Sequence, residues 1–229
     1  MSAARDLLRR ASENGNGLVV DGKPLTSELL KSAINSAFVD HGASADEFIV
    51  SHGAQSAIGH DMGSGEIHPG EPIVIDIWPR DPDTACFADM TRTFCIGDVP
   101  DELRAYQRLC KESLDASLAA VKAGAKGSEV FAISCEPFHR EGHKTLLSKE
   151  PGEIIENGYF HSLGHGVGLE LHEQPGLSRI GEELVAGDVV TLEPGLYRRG
   201  WGGCRLEDLI LVTENGAENL TDYPYDLEP

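Results

Sequence analysis

Residues 73–78 read IVIDIW, an apolar run broken by one carboxylate at its centre. Ile73, Val74, Ile75, Ile77 and Trp78 are β-branched or aromatic residues with the character of a buried strand. A strand apolar on both faces belongs inside a packed sheet, and its burial carries Asp76 inside with it. An ionised carboxylate left uncompensated there costs several kcal/mol. Any fold open to this chain must therefore bring a compensating group to Asp76.

Three more carboxylates sit in or beside strand-like runs. Alternation in FADMTRTF (87–94) puts Phe87, Asp89, Thr91 and Thr93 on one face. Glu193 ends an apolar run in DVVTLEPGLY (188–197), just before Pro194. In CRLEDLILV (204–212), read as one strand over 205–213, Arg205, Glu207 and Leu209 share a face. Taken singly, each is explained by a half-exposed sheet or a salt bridge. Together with Asp76 they point to a shared compensator.

Imidazoles accompany them. HSLGHGVGLELHE (161–173) carries His161, His165 and His172 among glycines that keep the backbone open for close approach. The spacing is not H-E-x-x-H, so helical zinc-protease geometry does not apply. His60 follows a glycine in AIGHDMG, a loop-like stretch. His41, His52, His68, His139 and His143 have no comparable setting and read as surface residues.

The helical pattern is clearest in 27–41, where Leu29, Leu30, Ala33, Ile34, Ala37 and Phe38 recur at helical spacing. Thr26 or Ser27 can cap its start and Gly42 its end. Helices are also expected over 3–13, over 101–123 and from Ser128, the last kinked or shortened by Pro137. Strands are expected at 48–50, 73–78, 86–95 and 188–193, with turn chemistry in PRDPD between the second and third. Residues 159–172 hold too many glycines for a helix. The order predicts an α+β domain, helices backing a mostly antiparallel sheet. With no linker, repeat or low-complexity segment, residues 1–229 read as a single domain.

Composition narrows the functions. A net charge of −19 disfavours nucleic acid and anionic membrane surfaces as partners and suits a site that collects cations. No apolar run reaches the roughly 18 residues of a membrane span. The N-terminus lacks the apolar segment of a secretory signal. Five dispersed cysteines without a C-x-x-C pair read as reduced thiols of a cytoplasmic protein. Four carboxylates neutralise two divalent ions, and oxygen donors with an imidazole suit Mn²⁺, with Co²⁺ or Zn²⁺ as alternatives. Such a pair binds a shared water, lowers its pKa and polarises a carbonyl. That is the profile of a metal-assisted hydrolase.

At this point IDIWP…FADMTRTF, HSLGHGVGLELHEQP, TLEPGLY and CRLEDLILVTENG, in that order, resemble the pita-bread metallopeptidases, with LTSELLKSAINSAF similar to the family's early helix. The group includes methionine aminopeptidase, aminopeptidase P, prolidase and the related creatinase. The resemblance implies the pita-bread fold and five metal ligands. Asp76 would hold one ion, Asp89 and Glu207 would bridge both, and His165 and Glu193 would hold the second. It further implies catalytic roles for His60 and His172 beside the scissile bond, for His161 and Arg205, and for Glu193 in proton handling. LEPGLY and RLEDLILVTENG look like the prolidase and aminopeptidase P branch, which implies attack by a metal-bridging hydroxide on a small peptide with proline second. A homodimer is compatible with the resemblance.

Two departures stand out. PRDPDTACF makes the hairpin between Asp76 and Asp89 longer than the family's usual one, and the N-terminal domain of two-domain members is absent or excised. A creatinase-like hydrolase working without metal, or a non-catalytic binding module of the same fold, are the alternatives. Either would dispense with the full ligand set.

Overall fold

The computed structural model describes residues 1–15 and 17–229. Two apolar cores, successive in sequence, organise it. Around the first lie α1 (Ser2–Arg9), β1 (Ser12–Asn14), β2 (Gly17–Val20), β3 (Lys23–Pro24), α2 (Ser27–Asp40), β4 (Ile49–His52), β5 (Ile73–Ile77) and β6 (Met90–Phe94), and all but the exposed β1 and β3 supply its buried apolar residues. Leu30, Ile34 and Phe38 on α2 are buried into it. Thr26 caps α2, its Oγ1 accepting from the Leu29 N–H at 3.1 Å, and Gly42 follows the end at a left-handed φ of 72°. β5 is the middle strand of the order β4-β5-β6, and Asp76 stands opposite Ile49 on one side and Thr91 on the other.

The second core begins at Cys95. Around it lie α3 (Asp101–Ala120), α4 (Gly127–Arg140), β7 (Asn157–Gly158), β8 (Gly164–Gly166), β9 (Glu173–Leu177), β10 (Val189–Leu192), β11 (Gly195–Arg198), β12 (Gly202–Arg205), β13 (Asp208–Thr213) and β14 (Gly216–Asn219), and all but β7 and β8 supply it with apolar residues. Leu109, Leu114, Phe131 and Phe138 of the helices meet Leu192, Leu196 and Ile210 of the sheets. One sheet runs β14-β13-β10-β8-β9 and another β12-β11-β7. The ladders between named strands are all antiparallel. The α+β expectation is borne out, with several small sheets in place of one. Among the described residues no helix is long and apolar enough to cross a membrane.

Four local expectations change. The first helix stops at Arg9, and Ser12–Asn14 pair with β2 instead. Pro137 lies within α4 without ending it, because the carbonyl that loses its partner belongs to Ile133, on the partly exposed face of the helix. His52 is buried, with Nδ1 2.8 Å from Glu71 Oε2 and Nε2 3.1 Å from the Ser64 carbonyl. The run 205–213 is not one strand. The chain leaves the β12 sheet at Arg205 and enters the β13 sheet at Asp208, so Leu206 and Glu207 lie at the crossing.

The long hairpin after β5 is tied down at both sides. Arg80 exchanges two backbone hydrogen bonds with Ser44, at 2.7 and 3.0 Å, and the Phe87 N–H donates to the Gly168 carbonyl at 2.9 Å. Phe87 is thereby tied to the loop that leads to His172.

Candidate metal centre

The site lies where the two cores meet. Asp76 projects from β5, and Asp89 immediately precedes β6. His165 is the middle residue of β8, Glu193 follows β10, and Glu207 occupies the crossing between β12 and β13. These five line one cavity of about 790 Å³ together with His60, His161, His172 and Arg205. Every residue singled out from the sequence is thus brought to one place. Ile49, Ile58, Met62, Trp78, Phe160 and Leu171 supply an apolar wall.

Local structure explains how the donors are aimed. Gly164 and Gly166 flank His165 because β8 is squeezed between its neighbours. A Cβ at Gly164 would stand 1.9 Å from the Thr191 carbonyl oxygen, and one at Gly166 would stand 2.5 Å from that of Gln174. The His165 Nδ1–H donates to the Gly166 carbonyl at 3.1 Å, which leaves Nε2 as an acceptor facing Asp89 Oδ2 at 3.8 Å and Glu193 Oε1 at 3.7 Å. Thr91 Oγ1 donates to Glu207 Oε2 at 2.7 Å, and the Glu207 N–H donates to the Thr91 carbonyl at 3.1 Å. Donor atoms of Asp89, His165 and Glu207 all lie within 4.8 Å of one another.

Asp76 has a partner the sequence reading did not assign to it. Arg205 Nη2 donates to Asp76 Oδ2 at 2.7 Å, and Arg205 Nη1 donates to Tyr197 Oη at 3.0 Å. Tyr197 is 2.9 Å from His161 Nε2, and His161 Nδ1 is 2.8 Å from the Ser162 carbonyl. A carbonyl only accepts, so Nδ1 carries the proton and Nε2 accepts from the tyrosine. Both ring nitrogens of His161 are therefore used within the protein. His60 and His172 have no hydrogen-bond partner among the described residues, and the His172 ring packs 4.2 Å from that of His165. Tyr197, Thr91 and Thr191, whose Oγ1 accepts the His165 N–H at 3.1 Å, were missed from sequence. Nothing in their local pattern separates them from ordinary strand residues.

The electrostatics show what this cluster lacks. Burial, then repulsion from Glu207, pushes the Asp89 carboxyl well above the usual range, and Glu193 is raised for the same reasons. Glu207 is pushed up to about 8 by burial and then by Asp76. Burial lowers His161 to about 3 and His165 to about 4, and it lowers His172 as well. Asp76 Oδ1 and Asp89 Oδ1 are buried with no hydrogen-bond partner. A buried acceptor left unsatisfied costs about 1–3 kcal/mol. Orphaned oxygens, crowded carboxylates and the neutral His165 imidazole with its lone pair presented to them are what divalent cations relieve, so the residues fit metal ions.

Antiparallel sheets around an oxygen-rich cavity with imidazole donors define a metal-binding α+β class. Within that class, the chain belongs to metallopeptidase family M24, whose model matches residues 2–214. It is 35% identical to the Xaa-Pro dipeptidase of Pyrococcus furiosus over 183 residues, 77% of this chain and 47% of that one. The prolidase from Pyrococcus horikoshii matches with a TM-score of 0.82 at 28% identity, covering 99% of this chain and 58% of that chain. The X-Pro aminopeptidase from Thermotoga maritima matches at 0.79 and 31% identity, covering 90% and 55%. The expected pita-bread fold is borne out by these neighbours. The chain spans about half the length of the curated relatives it matches.

Proposed function

We propose that residues 1–229 form the catalytic unit of a dinuclear Xaa-Pro metallopeptidase, which removes the N-terminal residue from small peptides with proline second. The observation that carries this reading is the convergence of Asp76, Asp89, His165, Glu193 and Glu207 from two separate cores, with two of their buried oxygens left unpartnered. In this assignment Asp89 and Glu207 would be shared between two ions, Asp76 would hold one, and His165 and Glu193 would hold the other. Divalent ions held there, Mn²⁺ by preference, supply Lewis acidity and an acidified water.

The remaining steps belong to side chains. Glu193, which lines the cavity beside Glu207 and His165, is the proton acceptor and later the donor to the leaving nitrogen. His60 and His172 orient the scissile carbonyl and its developing oxyanion, their ring nitrogens being uncommitted among the described residues. Arg205, Tyr197 and His161 hold one another and Asp76 in place. The apolar wall of Ile58, Trp78 and Phe160 offers a surface for a pyrrolidine ring. The names of the relatives, an Xaa-Pro dipeptidase and an X-Pro aminopeptidase, support the proline preference. An X-Pro bond lacks the N–H that general peptidases use.

The test compares an Xaa-Pro dipeptide, an Xaa-Pro-Yaa tripeptide and a methionyl peptide on protein stripped by chelator and reloaded with Mn²⁺ or Co²⁺. Hydrolysis of a proline substrate should vanish on chelation and return on reloading, and Asp89→Ala should abolish both metal uptake and turnover. Turnover that survives complete metal removal would overturn the reading. The two proline substrates separate dipeptidase from aminopeptidase action.

A further inference from the structure

Glu207 sits where no ladder holds it, at the crossing between the β12 and β13 sheets. Its backbone is nevertheless fully engaged. The N–H donates to the Thr91 carbonyl at 3.1 Å, and the carbonyl accepts from Arg92 Nη1 at 2.7 Å. Its carboxylate takes the Thr91 hydroxyl at 2.7 Å. All three restraints come from two adjacent residues of β6, which belongs to the other core.

Arg92 is 1% exposed, and its five N–H groups are all assigned. Nη1 also donates to the Thr91 carbonyl at 2.8 Å. Nη2 donates to Asp208 Oδ1 at 2.7 Å and to the Tyr223 carbonyl at 3.0 Å. Nε donates to the Pro224 carbonyl at 3.0 Å. Two of the five bonds thus go to the segment after β14, which closes over the guanidinium. Tyr225 lies 4.4 Å from its face and donates its hydroxyl to Asp208 Oδ2. Each donor meets a different carbonyl or carboxylate in a fixed plane, an arrangement a lysine ammonium cannot reproduce.

We propose that Arg92 is a positioning residue for the metal centre. It sets Glu207 from behind through the main chain, and the Tyr223–Tyr225 segment completes its shell. This rests on Glu207 being a metal ligand, as proposed above. Neither Arg92 nor the segment touches the cavity, so their influence passes through the Glu207 backbone.

The test titrates Mn²⁺ into metal-free wild type, Glu207→Gln, Arg92→Lys and Asp208→Asn by calorimetry, with circular dichroism checking that each is folded at the working temperature. The electron paramagnetic resonance spectrum of the bound Mn²⁺ is recorded alongside. Arg92→Lys should weaken Mn²⁺ binding about 10–100-fold, the range found for groups that orient ligands from behind, and should change the Mn²⁺ spectrum. A residue that only stabilises the fold would leave both unchanged in the folded fraction. Asp208→Asn keeps the shape but removes the countercharge, and it should shift affinity in the same direction. It decides the matter alone if Arg92→Lys does not fold. Weakened binding in Glu207→Gln with wild-type affinity and spectrum in the folded Arg92 or Asp208 variant overturns the positioning role only. Wild-type affinity in Glu207→Gln overturns the ligand reading and the positioning role with it.

Discussion

His165 donates one ring nitrogen to the Gly166 carbonyl and thereby aims the other at two carboxylates. The same economy recurs at Thr91 and Arg205, each of which neutralises or orients one carboxylate oxygen and leaves another for a cation. Without a cation the cluster should reveal itself through pH. Burial and the neighbouring Asp76 raise Glu207 from 4.5 to about 8, so the fold favours its protonated form below that pH. Its contribution to stability is fully present below pH 4.5 and is lost as pH rises through 8. His161 and His165, lowered from 6.5, act in the opposite sense, but their contribution is complete above pH 6.5. The buried Met1 amine, lowered from 8.0, also opposes the carboxylate, so the informative comparison is with Glu207→Gln. We expect the melting temperature of chelator-treated protein to fall between pH 6.5 and 8, and the fall to be smaller in Glu207→Gln. Equal slopes in the two proteins would mean that Glu207 is not held near its neighbours.

At the scale of elements, β8 is the most constrained piece of the site. Gly164→Ala introduces a Cβ 1.9 Å from the Thr191 carbonyl, a backbone atom that cannot swing aside. The strands must part, at a cost of about 1–3 kcal/mol for overpacking. Urea unfolding of the metal-free variant measures that cost, and Mn²⁺ affinity should fall with it because His165 moves. Unchanged stability would show that β8 and β10 are looser than these contacts require. The glycines around His165 were legible in the sequence as a stretch unsuited to helix. So were α2, α3 and the strand bearing Asp76, because apolar spacing records which face is buried. The break at Leu206–Glu207 was not legible. The alternation of Arg205, Glu207 and Leu209 on one face reads as a single strand through it, and only the sheet order shows that the chain changes sheets there.

For the whole molecule, the candidate ligands divide between the cores. Asp76 and Asp89 come from the first, and His165, Glu193 and Glu207 from the second. A cation bound by both sets should fasten one core to the other. Binding at 100 times the Kd adds about 2.7 kcal/mol to the folded state, and in a chain of this size each kcal/mol raises Tm by roughly 2–4 °C. Saturating Mn²⁺ should therefore raise Tm by about 5–10 °C. Differential scanning calorimetry with and without the ion measures the shift, and an unmoved transition would argue against a site that spans the cores.

The sequence by itself determined the chemistry on offer: four carboxylates in strand-like surroundings, imidazoles among glycines, and helices marked by their apolar spacing. Such features are local, since burial and backbone freedom are written into neighbouring residues. Only the tertiary structure decided who meets whom. Arg205 reaches Asp76 across 129 positions, Arg92 reaches the Glu207 carbonyl across 115, and Tyr197 engages both Arg205 and His161. Those pairings follow from the packing of two cores against each other. No periodicity within one segment carries information about the atoms that a distant segment brings to it.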